Sequence, residues 1–411
     1  MAGVFVTITL IFHLVVIPNC LAFAPRDWFN FIGFGSKEGQ KPQPLLKDDP
    51  GEPLVLLRDE QENPGPADPA MPTKAGLKEG FYKKSCPNAE KIVADMLVET
   101  FKTNPNAVSN VVRLLFHDCF VGGCDASLLL DFNPSGDPVE KSSGFNGLLL
   151  KGSDLIDDIK AKLEQECPQT VSCADTIAFA TNEALILGGL PRQRPLGGRR
   201  DSLISLASMV EDNNLPAPNW SLEKMIETFN KKGFNEEEMV ILLGAHSIGS
   251  SHCDFFMDRA YNYKETNNPD PNLTPEVVDE IKKVCVDAYT PKFRNPPMNF
   301  DETPTVLDNL FFKNIVEKNK TLLVTDSYLM NDPRTAPTVQ NMAADPNLFH
   351  KRFVEAINKL NTLNVLTGND GELNKLIVPV KTIKSISSGS FLMKSAYIDE
   401  SGEVESKGAF G

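Results

Sequence analysis

Histidine is scarce in this chain of 411 residues: there are five, and His13 lies in an apolar leader. Any chemistry that needs an imidazole therefore has few residues to draw on. An excess of basic charge is also missing. The net charge of −14 argues against a nucleic-acid partner and against a basic membrane-surface protein, and leaves small neutral or cationic partners open. Alternation of apolar and polar residues at β-period is nearly absent after residue 77, and no repeat of solenoid length occurs. What is left is a mainly α-helical domain of about 300 residues with long loops, which is ample for a real core.

The stretch VVRLLFHDCFVGGCDASLLLD, residues 111–131, concentrates the reactive residues. At helical period Arg113 and His117 share a face, so a fixed cation and a titratable base are aimed at one spot. Asp118, Cys119, Gly122, Gly123, Cys124, Asp125 and Ser127 follow at once. They form a short, cysteine-bounded loop of hard oxygen donors in which glycines let carbonyls turn inward, the chemistry that Ca²⁺ requires. Taken singly, the Arg and His read as a solvated helix face and the aspartates as a turn. Their compression into one helix and one loop favours a functional site.

Residues 1–24 are an apolar run ending in Ala22-Phe23-Ala24, which reads as a secretory signal peptide or, uncleaved, as a signal anchor. Three sequons, at Asn219, Asn272 and Asn319, agree with the secretory route and with a glycoprotein. Loss of Cys20 with the leader leaves seven cysteines, an odd number for an oxidising compartment. Residues 25–76 are rich in proline and acids and read as a disordered linker. Residues 77–378 form the domain and 379–411 a flexible Ser/Gly-rich tail. Helical spacing is expected over 88–101, 148–163, 173–187, 222–231, 235–243, 275–287, 308–318 and 348–363, besides the helix of Arg113 and His117.

His246 closes an apolar run in LLGAHSIG, a place where a histidine is usually a satisfied core residue. A carboxylate behind it would make it a metal ligand with a fixed tautomer, and Asp326 in LLVTDSYL is the candidate.

From about Gly80 to Val378 the chain resembles the secreted plant haem peroxidases of class III. The likeness is carried, in order, by FYKKSCPNAEKIV, RLLFHDCFVGGCDASLLLD, CPQTVSCAD, LGGRRDS, LLGAHSIG, TPTVLDN and LLVTDSYL. It implies an all-α fold with haem b between a distal and a proximal half. Arg113, His117 and Asn146 would be the catalytic residues, with Phe116 a wall beside them, His246 the axial iron ligand and Asp326 behind it. A distal calcium would take Asp118, Val121, Gly123, Asp125 and Ser127, with Glu140 reaching it through water. A proximal one would take Ser247, Asp301, Thr303, Val306 and Asp308. Pro216, Ala217, Pro218 and Phe255 match the edge where aromatic donors are held, and Asp175 and Arg199 a structural ion pair. The implied disulfides are Cys86–Cys167, Cys119–Cys124 and Cys253–Cys285, which leaves Cys173 alone. The implied activity is reduction of hydrogen peroxide with one-electron oxidation of small phenolic donors, by a secreted monomer of the extracellular space or wall. The C-terminal tail keeps a vacuolar destination open.

The chain departs from that pattern at several positions. No cysteine occurs between Leu373 and Val378 to pair with Cys173, and the Asp301 block is one residue short. Ser247 replaces the usual threonine, Lys151 stands where arginine is favoured, and His252 occupies a variable haem-edge position. Two rivals have other signatures. A calcium- and haem-binding wall protein of the same fold with weak turnover would not need Arg113, His117, Asn146, His246 and Asp326 together. A zinc hydrolase would want a spacing such as HExxH, which the chain lacks.

Overall fold

The computed structural model describes residues 76–147 and 150–373. The leader, the stretch up to residue 75 and the tail with Leu376, Ile377 and Val378 lie outside these residues. The described part is mainly helical, and among the described residues strands are two or three residues long. In chain order the helices are α1 (Ala89–Thr103), α2 (Ala107–Val121), α3 (Ser153–Glu166), α4 (Cys173–Leu187), α5 (Ala207–Met209), α6 (Leu222–Lys231) and α7 (Glu236–Leu243). There follow α8 (Asp258–Tyr261), α9 (Pro275–Val284), α10 (Leu310–Lys318), α11 (Val324–Tyr328), α12 (Ala336–Ala344) and α13 (Pro346–Leu360). Six short strands pair as three antiparallel ladders, of which one sets Ser250–His252 against Pro297–Asn299.

Helix α4 is the axle of the first half. It is buried along nearly its whole length and packs on α2, α1 and α3. Its start is fixed from both sides: Ser172 Oγ accepts from Asp175 N at 3.0 Å, and the Asp201 carboxylate accepts from Cys173 N and Ala174 N at 3.0 and 2.9 Å. Those bonds satisfy amides that the helix itself leaves unpaired. In the second half α7 packs on α13, α12 and α6, and starts from a capping box in which Asn235 and Glu238 bond each other's backbone. The large core runs through both groups, with Phe120, Phe229, Phe234, Phe312, Phe349 and Phe353 fully buried in it. A smaller core surrounds the Cys253–Cys285 disulfide and includes Phe256, Val277, Ile281 and Leu322.

Disulfides join Cys86 to Cys167 and Cys119 to Cys124 as well, and Cys173 is a buried free thiol. The Asp175–Arg199 pair is nearly inaccessible to solvent, with Nη1 to Oδ1 at 2.8 Å. Asp175 also accepts from the Tyr82 hydroxyl and from Gly198 N, while Arg199 donates to the carbonyls of Leu196 and Asn361. Charges buried this deeply are tolerable because both carboxylate oxygens and all three guanidinium nitrogens have partners.

Several boundaries differ from the periodicity reading. The helix expected over 275–287 stops at Val284, where Cys285 is held by its disulfide, and the one expected from 148 begins at Ser153, after Gly152 in a left-handed turn. Residues 148–149 lie outside the described set. Helix α12 has no counterpart among the expected helices, although Pro337 in its first turn and Val339, Met342 and Ala343 on its buried face carry the signal.

Candidate active site

Helix α2 holds the first reactive pair. His117 is buried, 7% exposed, and its Nδ1 lies 2.7 Å from the Asn146 side-chain oxygen. Asn146 is itself oriented, since its Nδ2 donates to the Glu140 carbonyl at 2.8 Å. The amide oxygen can only accept, so Nδ1 carries the proton and Nε2 is left as the basic nitrogen. Among the described residues Nε2 has no hydrogen-bond partner. Burial first, and then the Arg113 charge, push the imidazole down to about 3, while the Asn146 bond works the other way. His117 is therefore neutral at neutral pH.

Arg113 lies one turn before His117. Its side chain is exposed, yet desolvation by the neighbouring protein lowers the guanidinium from its usual range without removing its charge. Phe116 stacks on Phe120 with centroids 4.6 Å apart, which ties the reactive face of α2 to the aromatic core.

The second histidine sits in the 3-10 turn Gly244–Ser247 that follows α7. A side chain at Gly244 would collide with the Phe349 and Phe312 rings at 2.6 and 2.8 Å, so the turn closes this tightly only because glycine stands there. His246 Nδ1 faces both oxygens of the buried Asp326 carboxylate, at 3.0 and 3.1 Å. The Phe300 ring stacks on the imidazole, centroids 4.5 Å apart and planes 8° from parallel, and Phe311 meets it edge-on. Nε2 again has no partner among the described residues. The ring is thus locked in orientation and tautomer with one nitrogen free, the condition of a metal-binding imidazole with a carboxylate behind it. Neither Phe300 nor Phe311 was singled out from the sequence; only adjacency to Asp301 and the pattern of α10 marked them.

Two oxygen clusters flank these histidines. In the distal one Asp118 Oδ1, Ser127 Oγ and Glu140 Oε2 are buried without any hydrogen-bond partner. Asp118 Oδ2 accepts from Ala126 N, and Asp125 Oδ1 from Ser127 N. Burial pushes the Asp118, Asp125 and Glu140 carboxyls upward, Glu140 to about 8, and for Asp118 the neighbouring Asp125 and Glu140 add to it. Three orphaned oxygens among crowded acids are the signature of a cation site, because such groups are costly to bury bare. The Gly123 backbone presses on Asn364, where an added Cβ would lie 2.7 Å from the Asn364 carbonyl. The Val121 carbonyl, also expected to face the cation, accepts from Lys232 Nζ at 3.0 Å. Among the described residues no group of three or more His, Cys, Asp or Glu side chains is placed to hold a metal ion. The donors gathered here are instead of mixed kind, carboxylate with hydroxyl, hard oxygens that suit calcium.

The proximal cluster is partly closed on itself. Thr303 N and Oγ1 donate to Asp301 Oδ1 at 2.8 and 3.2 Å, and Thr303 Oγ1 also lies 3.0 Å from Asp308 Oδ2. Ser247 Oγ is 3.3 Å from both the Val306 carbonyl and Asp308 Oδ1. Asp301 Oδ2 alone is left buried and unpartnered, and burial raises this carboxyl to about 6. The short block thus still brings Asp301 to Thr303 and Asp308.

The remaining candidates are more scattered. Pro216, Ala217 and Pro218 are half-buried, and the Pro218 carbonyl accepts from Thr325 N at the start of α11. Phe255 is half-buried beside the Cys253–Cys285 bridge. His252 pairs with Pro297 in its strand ladder, and Lys151 is exposed.

Comparison with known proteins gives the family. A family profile described as Peroxidase matches residues 93–345. The chain is similar to Peroxidase 28 of Arabidopsis thaliana, 41% identical over 301 residues that cover 73% of this chain and 91% of the relative. It is 40% identical to Peroxidase 5 of Vitis vinifera over 73% of this chain and 90% of that one. With a peroxidase of Armoracia rusticana it shares 37% identity, over 73% and 90% of the two chains.

Proposed function

Given that the chain belongs to the peroxidase family and is a peroxidase, we propose that it uses haem b to reduce hydrogen peroxide and takes the electrons singly from small phenols. One observation carries this reading. Two histidines each have Nδ1 held by a side chain and Nε2 open, one by a neutral amide and the other by a carboxylate. A base and a metal ligand differ in just that way.

His246 would hold the iron, with the Asp326 carboxylate making its nitrogen a stronger electron donor. Bound haem supplies the redox centre that passes electrons from donor to peroxide. The residues of the chain do the rest. His117 Nε2 takes the proton of the nearer peroxide oxygen and hands it to the departing one, which needs a neutral imidazole at rest. Asn146 keeps Nδ1 as the protonated nitrogen, so that Nε2 is always the base. Arg113 opposes the negative charge that grows as the O–O bond stretches, an effect that is large where water is excluded. Phenols would approach by Pro216 and Phe255. Calcium in the distal cage would hold Asp118, and through it the adjacent His117, in place. A second ion at Asp301, Thr303, Val306, Asp308 and Ser247 would do the same for the turn that carries His246.

The leader and the three disulfides support secretion, and the burial of the one free thiol among the described residues, Cys173, fits a monomer. No helix among the described residues is long and apolar enough to cross a membrane. An absorbance spectrum of the purified protein tests the haem: a Soret band that shifts on adding peroxide and returns on adding guaiacol is expected. A Soret band that peroxide leaves unchanged would indicate a haem-binding protein without turnover, and no band at all would remove the assignment of His246.

A further inference from the structure

Arg259, on α8, is among the largest fully buried side chains, and nothing in the site above uses it. Its Nε donates to Asp270 Oδ2 at 2.9 Å, and neither partner is accessible to solvent. The other carboxylate oxygen is filled by Asn272, whose N and Nδ2 donate to it at 2.9 and 3.0 Å. Arg259 Nη1 meets a different set of acceptors. It donates to the carbonyls of Thr321, Leu322 and Leu323 at 2.8, 2.9 and 3.0 Å, and to the Thr321 hydroxyl oxygen at 3.0 Å. Nη2 is buried and has no hydrogen-bond partner among the described residues.

Stability alone is a poor reason for this arrangement. Both charges and an unpaired guanidinium nitrogen have left water, and an apolar pair of similar volume is often as stable or more so. What the guanidinium does, and an apolar side chain cannot, is hold a run of backbone carbonyls in one place. That run ends at Leu323, the residue at the head of α11, and Asp326 is the third residue of the helix. A helix of five residues does not hold itself, and Leu323 brings it no side-chain cap. Its place depends on what its ends are tied to. Thr325 N donates to the Pro218 carbonyl at 3.2 Å, and the residues just before the helix are tied by Arg259. Asp326 in turn stands with its oxygens 3.0 and 3.1 Å from His246 Nδ1, contacts that a small shift of α11 would lengthen.

We propose that Arg259 is a positioning residue for the His246–Asp326 pair: its hold on the carbonyls of Thr321, Leu322 and Leu323 sets where α11 starts, and so where the Asp326 carboxylate meets His246. The proposal rests on the reading of His246 as the iron ligand. Asp270 neutralises the guanidinium and aims it, since Asp270 N also donates to the Arg259 carbonyl at 2.7 Å. Ala260, next to Arg259, and Leu322 both belong to the smaller core around the Cys253–Cys285 bridge. That core thereby becomes the footing of the proximal side. With the hold released, Asp326 draws less on the Nδ1 proton, and the imidazole donates less to bound haem.

The test uses the haem-loaded full chain from a host that adds no glycans, and reads the reduction potential and the rate of haem transfer to apomyoglobin. Arg259→Met combined with Asp270→Asn removes the pair without leaving a lone buried charge and without changing the net charge. It should raise the potential, in the direction of Asp326→Asn, and speed haem loss roughly tenfold. Adding Asp326→Asn to it should take the potential no further than Asp326→Asn does alone, because both changes act at one bond. Arg259→Lys, which keeps the charge but loses the planar fork, should shift the potential the same way. Thr321→Val removes one acceptor, keeps the shape, and should give a smaller shift of the same sign even if the larger changes do not fold. A wild-type potential in the folded variants, whatever their melting temperature, overturns the proposal, as does a shift that simply adds to that of Asp326→Asn. A wild-type potential in Asp326→Asn itself overturns the role given above to the proximal pair, and this proposal with it.

Discussion

The two halves of the molecule solve one problem, a histidine with a fixed tautomer, by opposite means. On the distal side a neutral amide holds Nδ1 of His117, and burial with Arg113 keeps the ring uncharged. On the proximal side the buried Asp326 carboxylate does the holding, and the His246 ring is steadied by aromatic packing. The amide fixes a base without charging it; the carboxylate makes a better electron donor of its partner. The oxygen clusters differ in the same sense. Three distal oxygens are left buried without a partner, whereas the proximal hydroxyls and carboxylates mostly bond one another and leave a single oxygen open. A fold of two similar halves would not need this asymmetry; the proposed division into proton and metal duties accounts for it.

Exchanging the holders is the largest way to break the comparison. Asn146→Asp would set a carboxylate beside His117 and favour the imidazolium, which cannot take a proton. The reaction with peroxide at pH 7 should slow by about 10², the scale of lost general base catalysis, with wild-type spectra at rest. Asp326→Asn, the converse exchange, should leave that step's pH dependence alone and raise the reduction potential of the bound haem, with affinity weakened about tenfold or more. Stopped-flow traces and redox titration of the two variants separate these outcomes; equal effects on both quantities would mean the halves are not specialised.

Chelation sharpens the contrast between the clusters. Removing calcium should lower the melting temperature by several degrees, since a ligand at 100 times its Kd stabilises by about 2.7 kcal/mol. Most of that loss should vanish in Asp118→Asn and little of it in Asp301→Asn, because the distal cage has more unpartnered oxygen. Calorimetry with and without chelator measures it, and a larger share for Asp301 would reverse the ranking.

The smallest expected effect concerns pH. With His117 depressed from 6.5 to about 3, the native base stays neutral through the mildly acidic range. The unfolded chain takes up that proton below about 6.5 and the folded one does not, so this residue makes stability fall as pH drops from 6.5 toward 3. The rate with peroxide should nevertheless stay nearly flat from pH 7 to pH 5. A rate that halves near pH 6.5 would show an unshifted imidazole.

Much of this was legible in the sequence wherever the cause is local. Helix α4 runs over the span its periodicity predicts, since Ser172 starts it and Gly188 ends it. The face shared by Arg113 and His117 and the oxygen-rich loop behind it follow from spacing alone. Contacts between distant residues were not legible from spacing. Asp326 was a candidate by residue type, but its distance to His246 depends on α11, a five-residue helix too short to show a period. The stacking of Phe300 on His246, and the bond from Tyr82 to Asp175, rest on packing across 54 and 93 positions.

Whether His117 moves the proton and His246 holds the iron is tested by one paired measurement. His117→Ala and His246→Ala are purified with haem, and each is mixed with peroxide in a stopped-flow spectrometer. His117→Ala should keep a Soret band like that of the wild type and react at least about 10² more slowly, while His246→Ala should lose the wild-type band. A fast reaction in His117→Ala, or an unaltered band in His246→Ala, would contradict it.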